Sequence, residues 1–295
     1  MTHGSLDDLR ALARRHLAPD IAEQWTGLLR PGVGLVPAGP GESVVGRLGG
    51  SPALPVEEEW PVWEGHGPLS FIASIDCAAV ATSTSEARLP LDIDLPDSGT
   101  LLFFYFDGQL DGGMALVQGE DPGSQPGARV LHVPAGPGAE TARREAPAGL
   151  DPYPEVPLAA RVEMTANEPW TPEIQSVFAP DTPIGEIYEH PVCDDAFVDA
   201  LQDLGDWVGH RIGGYSHAVQ NPVQLEVAKG VLGPDTTWED PRLEAEARRW
   251  TLLAQIDTED AAGMMWGDTG ALYWLIRPED LALRRFDRAV FTWQC

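Results

Sequence analysis

The chain has 295 residues, 43% of them apolar and ten of them tryptophan, so it can bury a sizeable core and is not a disordered polymer. It carries 46 acidic residues against 19 basic ones, a formal charge of -27; this excludes generic binding to nucleic acid or an anionic membrane and favours a basic protein partner. The cysteines Cys77, Cys193 and Cys295 are odd in number and far apart, no stretch approaches 18 apolar residues, and Met1–Asp8 lacks a basic segment followed by an apolar one, which speaks for a cytoplasmic setting without disulfides, membrane span or signal peptide.

Ser5 can cap a first helix, with Leu6, Leu9, Leu12, Ala13 and Leu17 at helical spacing. Pro19 and Asp20 restart the chain, and Ile21, Trp25, Leu28 and Leu29 predict a second helix that Pro31 and Gly32 end. From Val33 onward short apolar runs alternate with turn residues, and Val44–Leu48, Leu69–Ile75 and Leu101–Phe106 read as strands. Residues 120–157 hold eight prolines, and only Val130–Val133 has strand character there. Val156–Met164 predicts another strand. Asp194 then caps a helix that presents Phe197, Val198, Leu201 and Leu204 on one face and stops at Gly205. A helix near Pro241–Arg248, strands at Trp250–Ile256 and Ala271–Ile276, a short helix opening at Pro278 and a strand at Val290–Trp293 complete the chain.

Three segments recur in the same order in both halves. Arg47-Leu48-Gly49-Gly50 matches Arg211-Ile212-Gly213-Gly214. Phe71–Asp76 matches Leu252–Asp257, and Asp97–Phe104 matches Asp268–Leu275. The glycine pairs suit tight turns or close backbone approach. Asp-Ser-Gly and Asp-Thr-Gly suit turns in which glycine supplies a positive φ, and Asp76 and Asp257 can cap the exit of their strands. The expected architecture is α+β: a duplicated, largely antiparallel β core with peripheral helices. An N-terminal helical segment spans 1–30, the first repeat 31–119, a Pro/Gly-rich connection 120–160 and the second repeat 161–295.

Candidate chemistry gathers around Gly209–Tyr215, read as a loop that presents His210 and Arg211, with His217 and Gln220 just beyond. Together with Asp257 or Asp268 these could form a catalytic pocket between the repeats. Arg47, Tyr215, His217, Gln220 and Trp266 are the candidate ligand-binding residues. Asp76, Asp97, Asp257 and Asp268 recur at matching positions; convergent carboxylates could hold a divalent cation, but such recurrence fits turn caps better, and no metal site or cofactor is assigned. No Gly-Lys-Ser/Thr, Gly-x-Gly-x-x-Gly, His-Glu-x-x-His or Gly-x-Ser-x-Gly occurs.

These motifs, with Trp60-Pro61, Trp266-Gly267-Asp268-Thr269-Gly270 and Gln294-Cys295, resemble the YwqG-like family, a bacterial family of unknown function. The resemblance runs from about residue 30 to the end. It implies a duplicated α+β fold and brings no activity, cofactor or catalytic residues. Some relatives sit near toxin–immunity genes, which implies a protein-binding role. The leading expectation is a binding protein with an acidic surface. An enzyme with its pocket near His210-Arg211 and a cation-stabilised structural module are the alternatives.

Overall fold

The computed structural model describes residues 3–136, 140–180, 182, 187–204 and 209–295. Its main sheet contains ten long strands: β1 (Arg30–Pro37), β2 (Val44–Leu48), β3 (Ser70–Asp76), β4 (Thr100–Tyr105), β5 (Ala128–Val133), β6 (Val156–Thr165), β7 (His210–Gly213), β8 (Thr251–Asp257), β9 (Ala271–Ile276) and β10 (Val290–Gln294). They hydrogen-bond in the order β10-β9-β8-β7-β1-β6-β2-β3-β4-β5, and every neighbouring pair is antiparallel. The fold is α+β with a duplicated antiparallel core.

The duplication is visible in the registers. Arg47 stands opposite Ser74 and Leu48 opposite Ala73; Arg211 stands opposite Gln255 and Ile212 opposite Ala254. One strand further on, Ala73 faces Phe103 and Asp76 faces Thr100, as Ala254 faces Trp274 and Asp257 faces Ala271. A register shift recurs at the same place, between Phe71 and Ala73 and between Leu252 and Ala254. Each copy is therefore a four-stranded meander, β2–β5 or β7–β10. The strand that precedes each meander pairs with the other copy: β1 lies on β7, and β6 lies on β2. β1 and β6 then pair with each other over eight residues, Arg30–Pro37 against Leu158–Thr165.

Both meanders share one core. Phe103 and its repeat counterpart Trp274 touch, with ring centroids 5.1 Å apart, and Phe291 packs on Trp274 at 5.1 Å and on Tyr105 at 4.7 Å. A residue that meets its own counterpart marks an approximate dyad, as in an isologous dimer. A second core lies under the N-terminal helices α1 (Leu6–His16) and α2 (Pro19–Thr26), where Leu9, Leu12 and Trp25 cluster with Phe197 and Leu201. Here α3 is Cys77–Ala87, α4 is Asp195–Gln202 and α5 is Val223–Leu232. Ser5 accepts the Asp8 N–H, Asp76 the Ala79 N–H and Asp194 the Ala196 N–H, so α1, α3 and α4 are capped by their own side chains.

Several expectations need correction. The second helix stops at Thr26, and Arg30–Pro37 is a central strand rather than a helix end and turn. Pro31 and Gly32 read as breakers, yet both lie within the strand, where a Cβ on Gly32 would come within 3.3 Å of Thr165 Cγ2 and 3.4 Å of Gly214 Cα. His210–Gly213 is a fully buried strand, not a loop, because it is inserted between β1 and β8. Helices α3 and α5 were not predicted. The two Asp-x-Gly turns also differ: Gly99 has φ 89, whereas in the second copy Thr269 carries the positive φ of 61. Gly270 is required for closeness instead, since a Cβ would lie 1.9 Å from the Gln294 carbonyl oxygen. The predicted helix stop at Gly205 lies outside the described residues. The strands expected at Val130–Val133 and Val156–Met164 are present, as Ala128–Val133 and Val156–Thr165.

The glycine pairs test the packing directly. Gly49 has φ 57, and a Cβ there would lie 2.4 Å from the Pro154 carbonyl oxygen and 2.5 Å from that of Tyr153. Gly41 has φ 83 with nothing within 4 Å. Gly49→Ala should therefore cost about 3 kcal/mol in urea unfolding, against about 1 kcal/mol for Gly41→Ala, where only the backbone conformation is penalised.

Candidate functional site

The sequence-selected residues separate into four places. His210 and Arg211 open β7, and both are buried, at 4% and 2% exposed. His210 Nδ1 accepts the Asp257 backbone N–H at 3.0 Å, which places the imidazole proton on Nε2, 3.5 Å from Glu259 Oε2. The Asp257 carboxylate accepts the Thr258 N–H at 2.8 Å. The group His210, Asp257 and Glu259 is thus brought together, with both ring nitrogens facing partners.

Arg211 is more deeply placed. Its Nη1 donates to the Tyr215 carbonyl oxygen at 3.3 Å. Burial pulls its pKa down, while the negative charges of Glu163 and Asp257, with the Tyr273 phenol, hold the guanidinium in its charged form. Its counterpart Arg47 lies on the first copy, with Nε 3.8 Å from Glu155 Oε2. The duplicated arginine therefore sits beside a carboxylate in both copies.

Tyr215 is an anchor: its hydroxyl donates to the Leu28 carbonyl oxygen at 2.7 Å, its N–H to Thr165 Oγ1 at 3.0 Å, and Arg30 stacks over its ring at 4.7 Å. His217 donates its N–H to Gln255 Oε1 at 2.8 Å and accepts the Tyr273 hydroxyl on its carbonyl oxygen at 2.7 Å. Burial, reinforced by Arg211, pushes the His217 imidazole down to about 3. Its approach to Glu168 at 3.8 Å is consequently not an ion pair near neutral pH.

Gln220 lines a polar cleft of about 370 Å³ between α5, the end of β10 and residues 118–120. Its organising residue is Gln294, which accepts the Val219 and Gln220 N–H groups at 2.8 and 3.0 Å and donates to Glu226 Oε1 at 2.7 Å. Thr292 donates to Glu226 Oε2 at 2.7 Å, and burial raises the Glu226 pKa against these two bonds. Lys229 pairs with Glu120 at the edge. Glu226 was not singled out from the sequence, because a lone glutamate in an apolar helix carries no spacing signal.

Trp266 lies elsewhere, at 3% exposed, with its indole N–H donating to the Asp257 carbonyl oxygen at 3.1 Å. It walls a small cleft of about 90 Å³ between the two copies, beside Tyr105, Asp107 and Trp293. The exposed Asp268 follows it in the chain. Among the described residues, no group of three His, Cys, Asp or Glu side chains is placed to hold a metal ion, and no helix is long and apolar enough to cross a membrane.

Two outcomes follow from the buried groups. Arg211→Met leaves Glu163 and Asp257 without their cation and should lower unfolding free energy by roughly 3–5 kcal/mol, read from the urea midpoint. His217 must remain neutral in the fold but takes a proton near pH 6.5 when unfolded, so its contribution is complete above that pH and is lost as pH falls toward 3. His217→Gln should remove a slope of up to ~1.4 kcal/mol per pH unit between about pH 4 and 6, measured by denaturation across that range.

No curated protein matches the chain. The family described as Domain of unknown function (DUF1963) matches residues 46–295, from within β2 to the end of the second meander, leaving α1, α2 and β1 outside the match. The chain belongs to the DUF1963 family.

Proposed function

We propose that this protein is a binding protein that engages a basic protein partner through its acidic surface. The observation that carries the reading is that the fold does not neutralise its own charge. Most of its few basic groups already lie beside carboxylates: Arg30 by Asp92, Arg161 by Glu42, Arg242 by Asp240, and Arg249 and Arg277 both by Glu246. There are 46 acidic residues to 19 basic ones, and carboxylates such as Asp8, Asp20, Glu57, Glu58 and Glu59 are exposed. A field of that sign accelerates encounter with a basic surface and repels phosphate and anionic lipid.

The resemblance to YwqG-like proteins, with some relatives near toxin–immunity genes, supports the same reading. A cytoplasmic setting belongs to it. So does an organisation in which the repeats 31–119 and 161–295, joined through 120–160, act as one unit behind the helical segment 1–30. A catalytic reading centred on His210 and Arg211 has against it that both side chains are buried and engaged within the fold. A cation-stabilised module has no ligand cluster to support it among the described residues.

The test is affinity capture from native lysate at about 0.05 M and about 0.5 M salt, a range over which the Debye length falls several-fold. Partners identified by mass spectrometry should be enriched in basic proteins and released at the higher salt. A retained set without basic bias, or with no salt dependence, refutes the reading.

A further inference from the structure

The cleft between the two copies has a chemistry that the acidic surface alone does not supply. Its walls are the rings of Tyr105 and Trp266, whose planes meet at 78° with centroids 6.0 Å apart, and that of Trp293. Tyr105 is only 6% exposed, yet its hydroxyl has no hydrogen-bond partner among the described residues. Asp107 lies beside it: its Oδ2 accepts the Tyr153 hydroxyl at 2.7 Å and the Gln109 amide at 2.8 Å, and burial and this charge together push the Tyr105 phenol up. Among the described residues, no lysine, arginine or histidine forms an ion pair with Asp107. The walls come from a stretch with no lysine or arginine between Arg88 and Arg129 and another with none between Arg249 and Arg277. The rim is apolar, with Met265 55% and Leu116 44% exposed.

These features select a ligand. Aromatic faces carry negative potential and attract a cation, most strongly where it is partly desolvated. The phenol oxygen can accept a hydrogen bond, and the carboxylate adds a full charge. A planar guanidinium stacks on one ring face, whereas rings set near a right angle suit a compact, rounded ammonium. The small volume points the same way, and the apolar rim matches an alkyl stem. We propose that this cleft holds the alkylammonium group of a lysine side chain presented by the basic partner. The inference rests on the binding reading above and gives it an anchor point.

The test uses the whole protein with Nα-acetyl-lysine amide and its uncharged counterpart Nα-acetyl-norleucine amide, following the Trp266 and Trp293 indole resonances in ¹⁵N–¹H spectra. The lysine compound should shift both indoles saturably with a Kd of about 1–10 mM, and the norleucine compound should bind roughly tenfold or more weakly. Asp107→Asn keeps an acceptor for Tyr153 and should weaken lysine binding about fivefold or more. Met265→Lys changes an exposed residue and places a competing ammonium at the rim, with a loss of similar size; it decides the matter if the Asp107 variant does not fold. Unshifted indoles, equal binding of the norleucine compound, or unchanged binding by the folded variants overturns the proposal. The titration needs no protein partner. Its failure alongside salt-sensitive capture moves the anchor elsewhere, and its success without such capture refutes the acidic-surface reading alone.

Discussion

The pairing of β1 with β6 is the constraint on which the remaining architecture depends. Eight residues of each strand run antiparallel through the middle of the sheet, and each strand then carries the other copy's meander on its outer edge. Neither copy can close its sheet alone, because its first strand is lent to its neighbour. Removing one copy would strip the other of a ladder and expose a row of unpaired backbone groups. The contact of Phe103 with Trp274 seals the exchange on the inner side, so the two meanders share one apolar interior.

The exchange also explains why charge is buried where it is. Inserting β7 between β1 and β8 places His210 and Arg211 among backbone strands instead of in solvent. Histidine then serves as an acceptor for the Asp257 N–H, and the guanidinium faces Glu163, Asp257 and Tyr215. Such a network stabilises little relative to an apolar core but is costly to break. It ties strands β6, β7 and β8 into one register. The first copy keeps the arginine beside Glu155 in a more open position, and has Gly46 where the second has His210. The asymmetry between copies therefore reflects different burial of equivalent strands.

Next to the buried network, to which Trp266 is tied through the Asp257 carbonyl, the copies leave a narrow gap where Tyr105 and Trp266 meet. Its character follows from its sources: two strand ends rich in aromatic residues and two loops without basic ones. The larger polar cleft around Glu226 is instead held by hydrogen bonds among Gln294, Thr292 and Glu226. The clefts differ because one is walled by aromatic residues around Tyr105 and Trp266, and the other by polar residues where α5 and the end of β10 meet residues 118–120.

From its residues alone the chain declared its duplication, since the Gly-Gly, Ile-Asp and Asp-x-Gly segments recur in order and local turn geometry demands those residue types. Strands such as Val44–Leu48 and Ala271–Ile276 were legible to the residue, because their apolar runs are bounded by turn residues. The strand Arg30–Pro37 was not legible: Pro31 and Gly32 imitate a helix stop, and only the close approach of Thr165, Gly213 and Gly214 makes Gly32 a fitting strand residue. The placement of His210 in a buried strand depended on β1, some 175 residues earlier in the chain, arriving beside it. Short-range propensity cannot encode that meeting. Which aromatic residues would wall a cleft and which would fill the core was likewise settled by how the two meanders face each other, a property of the assembled sheet and not of any one segment.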